Sequence, residues 1–228
     1  MLDVLMDSEL SIQQAVLIIV FSLVVIFVSL AVHEFAHAFA AYKMGDDTAK
    51  QAGRLTLNPF KHIDPVGFVW FLLIGVGWAR PVPINPVKFK KYRTGTRIVS
   101  LAGVMANFLL GLVAAIIYAI LFAVVRFESE EISYIGILLE YFMVVNSALC
   151  LFNLLPIYPL DGFTFITTFM KSENKFIKFN LRYGSLILIG VLLFSGIFSM
   201  FFPIDLLSSY LSILYDFVYI PITWLGVL

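Results

Sequence analysis

Residues 15–37 read AVLIIVFSLVVIFVSLAVHEFAH. Up to Val32 every side chain is apolar except Ser22 and Ser29, and none is charged. As a helix the run approaches the roughly 20 residues that cross a bilayer core of about 30 Å. It then breaks into His33-Glu34-Phe35-Ala36-His37. On insertion scales each ionisable group within a membrane helix costs at least about 2.5–3.5 kcal/mol, and such groups usually mark function. Packing alone does not account for three of them within five residues.

The rest of the chain extends the membrane reading. Of its 228 residues, 61% are hydrophobic and 13% charged, too apolar for a soluble globule. Further long apolar runs occupy residues 98–125 and 132–157. Two more, at about 184–202 and 205–225, are separated by Pro203, and the last is interrupted by Asp216 and Pro221. The expected fold is an all-α polytopic membrane protein with about five to six transmembrane helices. A net charge of +0 offers no surplus basic surface for counterion release, so no nucleic acid partner is expected. The single cysteine, Cys150, excludes an internal disulfide and a Cys-rich zinc site. His33, His37 and His62 are too few for a His-rich di-iron centre, so any metal chemistry uses few ligands.

Charge placement orients the spans. No Lys or Arg precedes the first apolar run, which therefore lacks the basic n-region of a signal peptide and reads as a retained helix. Basic residues then cluster at Lys43, Lys50, Arg54 and Lys61; at Arg80, Lys88, Lys90, Lys91, Arg93 and Arg97; and at Lys171, Lys175, Lys178 and Arg182. The positive-inside rule places these clusters in the cytoplasm and the acidic Glu128, Glu130 and Glu131 outside. The N-terminus is then outside in a multi-pass cell-membrane protein. The first helix, about 12–44, runs inward; 98–125 returns outward and 132–157 comes back. Residues 65–79 are too short for a comfortable span and have basic clusters on both sides, so parity makes them a re-entrant or interfacial segment between the first two core helices. The prolines in Arg80-Pro-Val-Pro-Ile-Asn-Pro-Val-Lys88 predict extended chain beyond it.

The H-E-x-x-H pattern carries a specific chemistry. Positions i and i+4 of a helix share a face, so His33 and His37 can reach one zinc ion at about 2.0–2.1 Å. Glu34 then faces the side where a metal-bound water resides, the place of a general base for hydrolysis. A catalytic zinc usually has three protein ligands and an open water position. Candidates for the third are Glu140, Asp161, His62 and Asp64. Topology favours Asp161, because the inward span of 132–157 delivers it to the cytoplasmic side where His33 and His37 lie, whereas Glu140 is nearer the outer side. His62 and Asp64 read as a structural hydrogen-bonding pair. Pro156 and Pro159 end the helix and present Asp161-Gly162 on a constrained turn.

Three segments, HEFAH at 33–37, AGVMAN at 102–107 and NLLPIYPLDG at 153–162, occur in an order that resembles the site-2 protease family of intramembrane zinc metalloproteases. The resemblance covers residues 12–165. The segments NPFKHIDP at 58–65 and GWARPVPINP at 77–86 look like its compact bacterial and archaeal branch, without a PDZ or CBS domain. It implies cleavage of a transmembrane helix of another membrane protein near the cytoplasmic face. It also implies one zinc ion per chain on His33, His37 and Asp161, water activation by Glu34, and substrate-binding roles for Asn107 and Asn153. For Asn107 a plainer reading stands beside this one: Gly103, Asn107 and Gly111 recur every four residues, a small-residue face that lets helices pack closely. Helix packing is likewise the alternative for Asn153.

A helical substrate hides its carbonyls and must unwind before attack. The extended chain at 80–86 is a candidate edge for the freed strand, the alternative being a loop that covers the site. Residues 1–165 are expected to form the catalytic membrane core and 166–228 a cytoplasmic loop and C-terminal apolar helices of the same membrane domain. The rival functions are a transporter or ion relay built on the same cluster, and a non-catalytic relative that binds membrane proteins. Transporters are often built from repeated halves, and none is visible here. The full set of proposed ligands and base speaks against an inactive relative.

Overall fold

A computed structural model of the chain describes residues 11–74, 77–125, 130–171 and 173–201. Its helices are α1 (Ile12–Met44), α2 (Thr48–Gln51), α3 (Pro65–Ile74), α4 (Tyr92–Val125), α5 (Glu130–Asn153), α6 (Asp161–Thr167) and α7 (Lys175–Phe201). No strand of a sheet occurs among the described residues. Among the described residues three helices are long and apolar enough to cross a membrane, within Ile12–Met44, Tyr92–Val124 and Tyr134–Asn153. Residues 1–10, 126–129 and 202–228 lie outside the description, and with them the N-terminal acids, Glu128 and the apolar run expected at 205–225.

α1 is delimited by local chemistry at both ends. Ser11 accepts from the Gln14 N–H while Gln14 accepts from the Ser11 N–H, a reciprocal capping box. At the other end Gly45 adopts φ 110°, and the N–H groups of Gly45 and Asp46 close back on the carbonyls of Tyr42 and Ala41. Between them the helix is roughly 50 Å long at 1.5 Å per residue, more than the bilayer core requires.

α4 packs against both α1 and α5. It runs antiparallel to α1, since Val99 near its start meets His37 near the end of α1 and Asn107 meets His33 one level deeper. α5 is antiparallel to α4: Asn107 pairs with Asn146 and Tyr118 with Glu140. Two boundaries differ from those read in the sequence. α4 begins at Tyr92 rather than 98, so its first turns carry the basic residues beyond the apolar run. α5 ends at Asn153 rather than 157, because Pro156 has no N–H with which to continue the helix.

The segment between α1 and α4 enters and leaves on one side. Ile63 and Ala79 form an antiparallel bridge and the Arg80 N–H donates to the His62 carbonyl at 2.8 Å, closing the neck of a loop that contains α3. At its base Asp64 caps α3 by accepting from the N–H groups of Val66 and Gly67. The Phe68 ring lies 5.5 Å from that of Phe27. Phe27 is six residues before His33 on α1, about 9 Å along the helix axis. α3 thus reaches past the level of the histidines, as a re-entrant segment does.

The chain from 80 to 85 lies along the end of α1, whereas Pro86–Lys88, read as extended in the sequence, form a 3-10 turn because the Asn85 side chain accepts from the Val87 N–H. The Val82 N–H donates to Glu34 Oε2 at 2.8 Å and the Asn85 N–H to Asp46 Oδ2 at 2.6 Å. Val82 packs with Ala38 and Ala49, and Phe89 with Ala41 and Val99.

Candidate metal centre

His33 and His37 stand one turn apart on α1, as the i, i+4 spacing predicts. Their Nε2 atoms are 3.0 Å apart, and Asp161 Oδ2 lies 3.3 Å from the first and 3.1 Å from the second. The three residues come from positions 33, 37 and 161 and form the one group of three or more His, Cys, Asp or Glu side chains, among the described residues, arranged to hold a metal ion.

The outward-facing nitrogens determine what the inward-facing ones can do. His33 Nδ1 is 2.8 Å from Asn107 Oδ1 and His37 Nδ1 is 2.7 Å from the Val99 carbonyl oxygen. Both partners are acceptors, so each Nδ1 carries the hydrogen and each Nε2 of the neutral ring presents a lone pair. Two lone pairs and a carboxylate oxygen then face one another at 3.0–3.3 Å, an arrangement that calls for a positive centre between them. Donors arranged tetrahedrally about 2.0–2.1 Å from a zinc ion are about 3.3 Å apart. The donor set and its spacing therefore fit zinc.

Asp161 is brought to the site by a built turn. α5 stops at Asn153, residues 154–160 reverse the chain, and Asp161 opens α6, where a negative charge is favoured by the helix dipole. A β-carbon on Gly162 would lie 2.1 Å from the Leu154 carbonyl oxygen, so only glycine lets α6 begin this close to the end of α5. The far end of α6 is tied to α4, because Arg97 Nε donates to Thr168 Oγ1 at 2.9 Å and the guanidinium stacks over Phe169. α7 braces the turn from outside, with Asn180 Oδ1 accepting from the Tyr158 N–H at 3.3 Å.

Glu34 is buried and points to the extended chain, where Val82 N–H holds Oε2. Asn107 is fully buried: its oxygen serves His33 and its nitrogen donates to Asn146 Oδ1 at 3.0 Å. Asn153 donates from Nδ2 to the Leu149 carbonyl of its own helix at 2.9 Å. The other ligand candidates are committed elsewhere. Glu140 accepts from the Tyr118 hydroxyl, Asp64 caps α3, and His62 donates from Nε2 to the Thr56 carbonyl.

Residues 21–136 match the model of peptidase family M50, just over half of the chain. The chain belongs to peptidase family M50. The matched region holds the H-E-x-x-H helix, the re-entrant segment and α4, whereas Asp161 lies beyond it. Among similar proteins are one from Bacillus subtilis (strain 168) named "Putative zinc metalloprotease YwhC", 44% identical over 147 residues, which are 63% of this chain and 66% of that one. Another, from Mycolicibacterium smegmatis, is named "Putative zinc metalloprotease Rip2"; it is 32% identical over 155 residues, 64% of this chain and 56% of its own length. A protein of the same name from Mycobacterium tuberculosis (strain Erdman) is 29% identical over 153 residues, with 65% and 56% covered. The chain thus spans just under two thirds of the first relative and little more than half of the others. No solved structure matches the chain.

Within this M50 fold some residues that build the site carry no motif of their own. Asn146 continues the hydrogen bonds that begin at His33, and Ser29 lies outside the site as a side branch that accepts from Asn146. Their only sequence signal is a polar side chain in an apolar helix. Arg54 is buried, donates from Nη2 to the Arg80 carbonyl, and so grips the extended chain two residues before Val82 meets Glu34. Burial lowers the pKa of Arg54 from its ordinary value, opposed by the nearby Glu34 carboxylate and reinforced by Arg80.

Proposed function

We propose that the chain is an intramembrane zinc endopeptidase that hydrolyses a peptide bond in or near a transmembrane helix of another membrane protein. The convergence of His33 Nε2, His37 Nε2 and Asp161 Oδ2 carries the reading. These three residues hold one zinc ion. Zinc bound there supplies a water whose pKa is about 7 and polarises the scissile carbonyl.

The chain's own groups do the rest. Glu34 takes a proton as water adds to the carbonyl carbon and returns it to the amide nitrogen as the C–N bond breaks. Val82 N–H fixes one oxygen of that carboxylate. The chain at 80–86, gripped by Arg54 and by Asp46, accepts the unwound substrate strand beside Glu34. Asn153 lies near the turn that presents Asp161 and contacts substrate. Asn107 serves His33 in the free protein and contacts substrate through the amide hydrogen and oxygen lone pair that its two bonds leave over.

Residues 1–165 form the catalytic core and 166–228 belong to the same membrane domain, a division supported by the bracing of the Tyr158 turn by α7. The protein resides in the cell membrane with its N-terminus outside and its site near the cytoplasmic face. The test is cleavage of single-span membrane peptides in proteoliposomes. Activity should be abolished by a zinc chelator and restored by zinc. Transport of an ion with no peptide cleavage in the same vesicles would replace this reading with the relay.

A further inference from the structure

Asn146 lies on α5, fully buried in a helix that is otherwise largely apolar. Its amide nitrogen donates to the Phe142 carbonyl at 2.8 Å and to Ser29 Oγ at 2.8 Å, and its oxygen accepts from Asn107 Nδ2 at 3.0 Å. Asn107 Oδ1 in turn accepts from His33 Nδ1 at 2.8 Å. The bonds form one chain, from a backbone carbonyl of α5, through two side-chain amides, to an imidazole of α1.

Every step in this chain has a determined direction. A peptide carbonyl can only accept, so the nitrogen of Asn146 faces Phe142 and its oxygen faces Asn107. Asn107 must then offer nitrogen to Asn146 and oxygen to His33. An oxygen there requires the hydrogen on Nδ1 and leaves the lone pair on Nε2, where Asp161 and His37 converge. Reversing the tautomer requires both buried amides to rotate, which sets Asn146 oxygen against the Phe142 carbonyl. Ser29 can donate or accept and so imposes no direction. His37 reaches the same state directly, through the Val99 carbonyl.

We propose that Asn146 is a positioning residue which, through Asn107, locks His33 in the tautomer that presents Nε2 to the metal. The proposal rests on the reading of His33 as a zinc ligand. Partners of this kind set the orientation and tautomer of a ligating histidine, and their loss typically costs about 10- to 100-fold in metal affinity.

Two measurements on the full chain in detergent test it. The first is 15N NMR of histidine-labelled, zinc-free protein at alkaline pH, which reports the tautomer without any metal. His33 should carry its hydrogen on Nδ1 in the wild type and populate both tautomers in Asn146→Leu. Hydrogen on Nε2 of His33 in the wild type overturns the proposal, whether or not the variant folds. The second is zinc affinity by chelator competition. Asn146→Leu should weaken binding by about 10- to 100-fold while Ser29→Ala leaves it unchanged. Equal affinity of Asn146→Leu and wild type overturns the proposal, as does an equal loss in Ser29→Ala, which would make buried polarity rather than direction the cause. A wild type that shows the Nδ1–H tautomer yet binds no zinc supports the relay and removes the metal reading instead.

Discussion

Gly103 of α4 lies directly against His37 of α1: a β-carbon at position 103 would come within 2.4 Å of His37 Nε2 and 2.6 Å of His33 Nε2. α4 therefore walls the site with bare backbone where the ligand atoms come closest. The approach also lets Val99 and Asn107, about one turn to either side of Gly103, reach the two Nδ1 atoms.

Gly103→Ala tests that wall. Alanine is the better helix former by about 1 kcal/mol, so the helix itself should persist. Its methyl group must displace one or both imidazoles. Zinc stoichiometry by elemental analysis should fall well below one per chain, with helical circular dichroism retained. Full zinc occupancy would show that the helices separate at no cost to the site.

Glu34→Gln separates metal binding from catalysis. The amide keeps the shape and can still accept from Val82 N–H, but it cannot take a proton. Zinc content should match the wild type while cleavage of a reconstituted substrate falls by about 10²- to 10⁴-fold, the usual contribution of a general base. Undiminished proteolysis would remove Glu34 from that role.

Asp161→Ala asks whether the carboxylate is the third ligand. The remaining pair of histidines makes a poor zinc site, since catalytic centres use three protein ligands. The purified variant should carry substoichiometric zinc and show no cleavage. Normal zinc content would assign the third position to another group.

The junction between α1 and the extended chain should give a pH dependence to stability. Burial by itself would raise the pKa of Asp46. The Thr48 hydroxyl, the N–H groups of Asn85 and Thr48, and the Lys88 ammonium outweigh it and hold the carboxyl below its ordinary value of 3.8. A depressed folded-state value means that the unfolded chain binds the proton first as pH falls. The contribution is then complete above about pH 4–5 and is lost as pH drops through the folded value. Asp46→Asn should lower stability by about 1.5–3 kcal/mol near neutrality, the range for hydrogen bonds to a charged group. In thermal unfolding in detergent, the gap between variant and wild type should narrow as pH falls below 4. A gap that stays constant with pH would mean that the charge of Asp46 contributes nothing.

Local pattern made one half of the site legible. His33 and His37 share a face because of helix geometry alone, and an apolar run interrupted by three ionisable groups marks itself. Asp161 needed one further step, the parity of the spans, which brings the end of the third apolar run back to the side where the first ends. Asn146 carries no such mark, because a single asparagine in an apolar helix has no period or spacing to distinguish it, and its partners Asn107 and Ser29 are 39 and 117 positions away. The roles of Gly103 and Arg54 were hidden for the same reason, since each depends on atoms supplied by another part of the chain.

The amino-acid order by itself determined that this is a helical membrane protein, where its long apolar helices run, and which residues can serve as metal donors. Those properties follow from hydropathy, helical periodicity and side-chain chemistry, which act over a few neighbouring residues. Only the tertiary structure decided which nitrogen of each histidine faces Asp161 and which glycine leaves room for the two rings. The same is true of the backbone amide that meets Glu34. Each of these depends on contacts of about 3 Å between segments far apart in the chain, and only the packing of α1, α4, α5 and α6 brings those segments together.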